Sequence, residues 1–292
     1  MRRRQIIAAS ATAVTAAAAA LAGCSTSGSR PRASQSATPA SGTPLNRDAA
    51  SASRFFGPKL LARSDGSFGL SRAMLLDQPH SALGRLLRVR YPARSASPTV
   101  TRQYHDPEGG AQLYLALRSG PTDTLHLRYY VRFPPEFDFV KGGKLPGLYG
   151  GSVTGGRHIP DGSDGLSTRY MWRKGGTAEV YAYLPTSVEH GTSLGRGDWL
   201  WPTGRWTCVE QAVHLNTPGR ADGSVAVFLD GARVLRSTGL EFRSTGRLAI
   251  EGVFFSTFFG GSDPSWATPR TQHTDFAAFA VSDRYIGPLP KA

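Results

Sequence analysis

The 292 residues include 34 Lys and Arg against 21 Asp and Glu, a net charge of +13, with 40% hydrophobic and 10% aromatic content. That length can bury a sizeable core, so neither a metal nor a disulfide is needed to hold the fold, and the aromatic share excludes wholesale disorder. The 34 Gly and 20 Pro point to a turn-rich β chain, while two Cys are too few for a disulfide scaffold.

At the N-terminus, Arg2, Arg3 and Arg4 precede an Ala-rich apolar run that ends in Leu21-Ala22-Gly23-Cys24. A charged start, a short apolar run and small residues fit a secretory signal over residues 1–23, and the run is short for a hydrocarbon core of ~30 Å. The ending resembles the bacterial lipobox, which implies cleavage before Cys24 and lipidation of that residue. The Arg run also resembles a twin-arginine signal, which leaves the export route open. Ser25 to Ser53 is built from Ser, Thr, Ala, Pro and Gly with scattered Arg, so residues 24–54 are expected to be a disordered tether. The protein is then exported and held by lipid alone on the outer face of the bacterial cell membrane, or released from it.

Setting these segments aside leaves 27 basic and 20 acidic side chains in residues 55–292, a net of +7. The remaining excess suits an acidic polymer without identifying one. With Cys24 lipidated, Cys208 has no partner, and its setting in Trp206-Thr207-Cys208-Val209 reads as a buried structural thiol.

From Phe55 onward the chain alternates short β-rich runs with turns. Strands are expected at Arg85–Tyr91, Ala111–Leu117, Thr124–Phe133, Leu166–Trp172, Ala178–Leu184, Trp206–Leu215, Ser224–Leu229, Gly246–Phe255 and Asp275–Val281. Pro107-Glu108-Gly109-Gly110, Asn216-Thr217-Pro218-Gly219 and Asp230-Gly231 punctuate them. No long 3.6-residue period and no fixed repeat appears. Evenly spaced strands without crossover helices indicate an all-β antiparallel sandwich or jelly roll, with residues 55–292 as one domain. The stretch from Leu215 to Leu235 resembles the edge hairpin of concanavalin-like jelly rolls.

Alternation along strands places Ser167, Arg169 and Met171 on one face, and Tyr181 and Tyr183 on one face of the next strand. A two-residue Gly175-Gly176 loop would set Arg169 opposite Ala182. A three-residue loop, Lys174-Gly175-Gly176, would pair Arg169 with Tyr181 and Ser167 with Tyr183. The second register gathers the polar residues and is the one expected.

Three ordered segments resemble polysaccharide lyase family 14, which includes alginate and glucuronan lyases with a β-jelly-roll fold. They are Phe139 to Gly151 (FVKGGKLPGLYGG), Ser167 to Arg173 followed by Tyr181-Ala182-Tyr183, and Phe254 to Trp266 (FFSTFFGGSDPSW). The resemblance covers most of Leu86 to Val281. It implies that Lys144, Ser167, Arg169, Tyr181 and Tyr183 form the catalytic set, and that the activity is β-elimination on a 4-linked uronate polymer, alginate (polymannuronate) or glucuronan.

These residue types suit that chemistry. The proton on C5 is too weakly acidic to remove until the adjacent carboxylate is neutralised, a task for Lys144 or Arg169. Tyrosine at its usual pKa of ~10 is a poor base, but the two cations are expected to favour its phenolate. Tyr183 then acts as base or acid with Tyr181 as its partner, the two roles being exchangeable, Ser167 gives hydrogen-bonding support, and Lys144 is an alternative proton acceptor. No cofactor and no metal is implied, since the seven His show no ligand spacing. The expected partner of the monomer is an acidic polysaccharide, not nucleic acid.

Two other classes fit less well. A jelly-roll glycoside hydrolase needs paired carboxyl groups, and after Glu136-Phe137-Asp138 a Lys141 stands where the second Glu belongs. A binding module on the same scaffold has no use for Lys, Arg and two Tyr in one place.

Overall fold

A computed structural model describes residues 42–45, 54–78, 81–156 and 158–290. The signal segment, Cys24 and most of the expected tether lie outside the described residues. The strands in chain order are β1 (Thr43–Pro44), β2 (Leu60–Ala62), β3 (Ala73–Leu76), β4 (Leu86–Tyr91), β5 (Ala111–Leu117), β6 (Thr124–Arg132), β7 (Gly142–Leu145) and β8 (Gly147–Gly151). They continue with β9 (Gly165–Arg173), β10 (Ala178–Tyr183), β11 (Thr192–Leu194), β12 (Thr207–His214), β13 (Gly223–Leu229), β14 (Ala232–Leu240), β15 (Gly252–Phe259) and β16 (Gln272–Ser282). A short helix, α1 (Pro98–Tyr104), is capped by the Ser97 side chain accepting from Val100 N–H.

Two antiparallel sheets form the jelly-roll sandwich. The back sheet runs β1-β3-β4-β16-β6-β12-β13-β14, and the front sheet runs β11-β10-β9-β7-β15-β5-β2 with β8 continuing β7 between β9 and β15. Alternation sends Leu113, Leu115, Tyr129, Val131, Tyr170, Trp172, Phe255 and Phe276 into the space between them. Aromatic edges fill that space: Trp172 meets Phe259 at 5.3 Å and Phe133 at 5.7 Å, both T-shaped. The Asp230-Gly231 dipeptide, with φ of 49° and 89°, is the two-residue turn that reverses β13 into β14 at the sheet edge.

The β9–β10 turn has the expected three-residue form. Lys174-Gly175-Gly176 reverses the chain with Gly175 at φ 68°, and Arg173 N–H donates to Thr177 O at 2.6 Å. Arg169 therefore pairs with Tyr181, and Ser167 with Tyr183.

Three boundaries differ from the sequence reading. Residues 42–45 lie within the stretch assigned to the tether, yet β1 pairs with β3 and Leu45 is buried with its N–H on Ala73 O. An edge position tolerates Pro44, and Leu45 brings apolar surface that the neighbouring Ser and Ala lack. The last strand but one begins at Gly252 rather than Gly246. Finally, the glycine-rich Gly142–Gly151 segment, outside the strands expected from the sequence, forms β7 and β8: both are central strands, and a Cβ on Gly143 would sit 2.0 Å from the Trp172 ring. Glycine is there because an indole occupies the space.

Between β7 and β8 the ladder slips by one residue at Pro146. Lys144 opposes Met171 and Phe258, whereas Tyr149 opposes Ser167 and Gly252. This is a bulge, one of the few places a proline is accepted inside a sheet, and the Pro146 carbonyl accepts from the Tyr129 hydroxyl at 3.1 Å.

The β9–β10 turn gives a stability test. Gly175→Ala meets no neighbour within 4 Å but keeps a positive φ, so about 1 kcal/mol should be lost. Gly176→Val, at φ 81° with its Cβ 2.8 Å from Trp201 O, should lose more than about 2 kcal/mol. Equal denaturation midpoints for the two variants would contradict the packing described for Gly176.

Candidate active site

The outward face of the front sheet carries the side chains left over from core packing. β9 contributes Ser167, Arg169, Met171 and Arg173, β10 contributes Glu179, Tyr181 and Tyr183, and β7 contributes Lys144. Phe254 and Ser256 of β15 and Tyr114 of β5 complete the floor. All five residues singled out from the sequence thus share one face.

Their contacts are specific. The Lys144 ammonium nitrogen lies 3.5 Å from the Tyr181 ring centroid and donates to Met171 Sδ at 3.1 Å. The Arg169 guanidinium lies over the Phe254 ring at 4.4 Å and donates to Ser256 Oγ and Thr154 O, both at 3.4 Å, while its Nε is buried without a partner. Gly155 allows that approach, because a Cβ there would come within 2.5 Å of Arg169. Tyr181 and Tyr183 meet edge to face at 5.7 Å. Ser167 is fully buried, and its hydroxyl donates to Thr154 O at 2.7 Å. It holds the loop after β8 in place and does not reach the groove.

Lys144 and Arg169 are only 8% and 4% exposed, and among the described residues neither has a carboxylate within ion-pair distance. The nearby Glu179, itself fully buried, is taken by Arg173 at 2.5 Å with Arg196 at 3.7 Å. Burial, then the repulsion of Arg169 and Arg173, holds the Lys144 amine well below the usual lysine range. Burial also lowers Arg169, which stays protonated because guanidinium starts so high. Tyr181 behaves opposite to expectation: burial, followed by the neighbouring Tyr183, pushes its hydroxyl up to about 12. Arg173 favours the phenolate, but desolvation outweighs its attraction. The face therefore pairs a lysine shifted toward its neutral amine with a firmly protonated phenol and a fixed guanidinium.

Other polar and thiol groups lie elsewhere. Gln211 is buried between the sheets on Thr168, His273 stands near Asp275 on the back sheet, and Cys208 is a free buried thiol. Asp138 accepts from Val140 N–H in the loop before β7, and Glu136 is exposed. Phe254, Ser256, Tyr114 and Thr154 were missed by the sequence reading. The period-two pattern of Phe254-Phe255-Ser256 could have revealed two of them, whereas Tyr114 and Thr154 reach the site only through tertiary pairing.

A family model described as polysaccharide lyase 14 matches residues 79–279. The chain belongs to polysaccharide lyase family 14. Among solved structures, this lyase is similar to the marine PL-14 alginate lyase from Aplysia kurodai, at 30% identity and a TM-score of 0.68, over 83% of this chain and 97% of that one. It shares its fold with alginate lyase vAL-1 from Chlorella virus, at 20% identity and TM-score 0.66, over 82% of this chain and 99% of that one. It also shares it with alginate lyase Aly36B, at 22% identity and TM-score 0.63, over 82% and 92%. No curated protein sequence matches the lyase.

Lys144 makes the stability of the family 14 lyase depend on pH in a definite sense. The folded chain releases the Lys144 proton at lower pH than the unfolded chain does, so between those two values the unfolded state binds more protons and stability rises with pH. Below the folded value the penalty of burying the charge is fully present. Lys144→Met should therefore be more stable than the parent at neutral pH, with the gap closing as pH climbs to the ordinary lysine range. Chemical denaturation at several pH values checks this, and a gap that widened with pH would contradict it.

Proposed function

We propose that this lyase cleaves 4-linked uronate chains, alginate and its polymannuronate blocks foremost, by β-elimination, with Lys144, Arg169, Tyr181 and Tyr183 carrying the chemistry. The observation that carries the reading is a buried lysine and arginine that, among the described residues, have no carboxylate within ion-pair distance and stand beside two tyrosines. Such a pair is costly unless a ligand supplies the anion. That three structures alike in fold are named as alginate lyases supports the same substrate.

Each group has a task that its environment suits. Arg169 receives the substrate carboxylate, whose charge would otherwise resist a carbanion at C5. The Lys144 amine takes the C5 proton. Electrons of the broken C5–H bond form the C4–C5 double bond, and the C4–O4 bond breaks with its pair on O4. A tyrosine hydroxyl returns a proton to that oxygen. Tyr181, raised to about 12, stays protonated throughout the working range. Ser167 is a positioning residue: through the Thr154 carbonyl it fixes the wall against which Arg169 rests.

Turnover should appear as ultraviolet absorbance of the unsaturated product on polymannuronate, polyguluronate or glucuronan, and be absent on neutral glucans. Lys144→Ala and Tyr183→Phe should each reduce kcat by about 10²–10⁴-fold with the fold retained. Unchanged rates in both would dismiss the assignment. The kcat profile should rise with pH as Lys144 loses its proton, and that rise should vanish in Lys144→Ala.

Export and lipid anchoring at Cys24 belong to the same reading, supported by the Leu21-Ala22-Gly23-Cys24 ending and the long polar stretch behind it. Cys24→Ala should abolish incorporation of radiolabelled fatty acid and release the protein from the membrane fraction. Continued labelling would refute the anchor.

A further inference from the structure

Beyond Met171 on β9, the same groove floor changes character. Arg173 lies 5.6 Å from the Tyr181 ring on one side and 5.9 Å from the Trp266 ring on the other. With Lys141, Lys174, Thr177, Arg196 and Trp266 it lines a cavity of about 550 Å³. That volume lies within the range of sites that hold a small ligand. Among the described residues, four cations stand there against the carboxylates of Glu179 and Asp263, the second reached from Lys141 through the Ser265 hydroxyl.

The cations are organised rather than merely crowded. Glu179 is fully buried and takes two hydrogen bonds from Arg173, through Nε at 2.8 Å and a terminal nitrogen at 2.5 Å, both on Oε1. Its Oε2 has no hydrogen-bond partner and faces Arg196 at 3.7 Å. One carboxylate thus fixes Arg173 and attracts Arg196 at the edge of the cavity while neutralising only one charge. Lys174, exposed in the β9–β10 turn, adds a charge with freedom to move. Trp266 offers an aromatic surface of the kind that packs against the apolar face of a sugar ring.

We propose that this cavity is a second anionic subsite, which binds the carboxylate of a further uronate in the same polysaccharide chain. The assignment rests on the lyase reading of the groove but concerns residues outside its chemistry. Arg169 and Arg173 are four residues apart on one strand, roughly 13 Å along the sheet. That exceeds one pyranose, so the two arginines address carboxylates of different sugars. Glu179 positions Arg173 and attracts Arg196, Trp266 packs against the ring, and Lys174 with Arg196 closes on the carboxylate from the solvent side.

The test is a double variant, Lys174→Ala with Arg196→Ala, at two exposed positions whose loss should shift thermal unfolding little, because Arg173 still holds Glu179. On polymannuronate and long oligomers KM should rise about tenfold with kcat kept. On the shortest oligomer that is turned over, too short to span both arginines, neither constant should change. Lys174→Arg with Arg196→Lys should restore most of the difference. An equal change on short and long substrates, or no change on either, would overturn the subsite while leaving the lyase activity standing. Calorimetric titration with a saturated oligouronate separates the two failures. Were the parent to turn over no uronan, the functional reading falls, and the subsite then stands only if the double variant still binds the oligouronate more weakly than the parent.

Discussion

Lys144 and Arg169 are taken out of water by a sheet that, among the described residues, sets no carboxylate within ion-pair distance of either, and an uncompensated buried charge destabilises the folded chain. The sandwich bears this because the other side of the same strands is packed with Trp172, Tyr170, Phe255 and Phe259 against the back sheet. A single β9 residue step separates the two environments. Odd-numbered residues of β9 face the groove and even-numbered residues face the core, so catalytic potential and stability are written on alternate residues of one strand. Dehydration is also what shifts Lys144 toward its neutral form and keeps Tyr181 protonated. The cost to folding and the chemical aptitude of the site have the same origin.

Placing these groups together takes two departures from regular pairing. The left-handed Gly175 sets the β9–β10 register, so that Tyr181 faces Arg169 and not the core. The slip at Pro146 lets Lys144 and Tyr149, an odd number of residues apart, point to the same side. Tyr129 crosses the core to satisfy the carbonyl that the slip exposes. A sheet with perfect ladders would send one of these groups inward.

Much of this was legible in the sequence. Alternating apolar runs located nine strands, β5 to the residue, and the face shared by Ser167, Arg169, Tyr181 and Tyr183 followed from period two and a three-residue turn. Atypical strands were not visible: β7 and β8 are glycine-rich because Trp172 and neighbouring backbone leave no room for side chains. The direction of the Tyr181 shift was misjudged because neighbouring charges can be counted in a sequence, whereas desolvation depends on packing. Ser167 looked like a groove residue, and only tertiary structure shows its hydroxyl turned to Thr154.

The slip at Pro146 also bears on how such an enzyme can diverge. One residue gained or lost between Lys144 and Tyr149 would exchange the inward and outward sets of a central strand, burying the lysine in the aromatic core or expelling Leu148 from it. That stretch, which looks like a dispensable glycine loop, is therefore frozen in length. The connections after β8 and after β10 leave the sheet beside Arg169 and Tyr183, where added residues disturb no ladder. Insertions and deletions there are the route by which descendants of this chain could come to grip different polymers without altering the groups that break them.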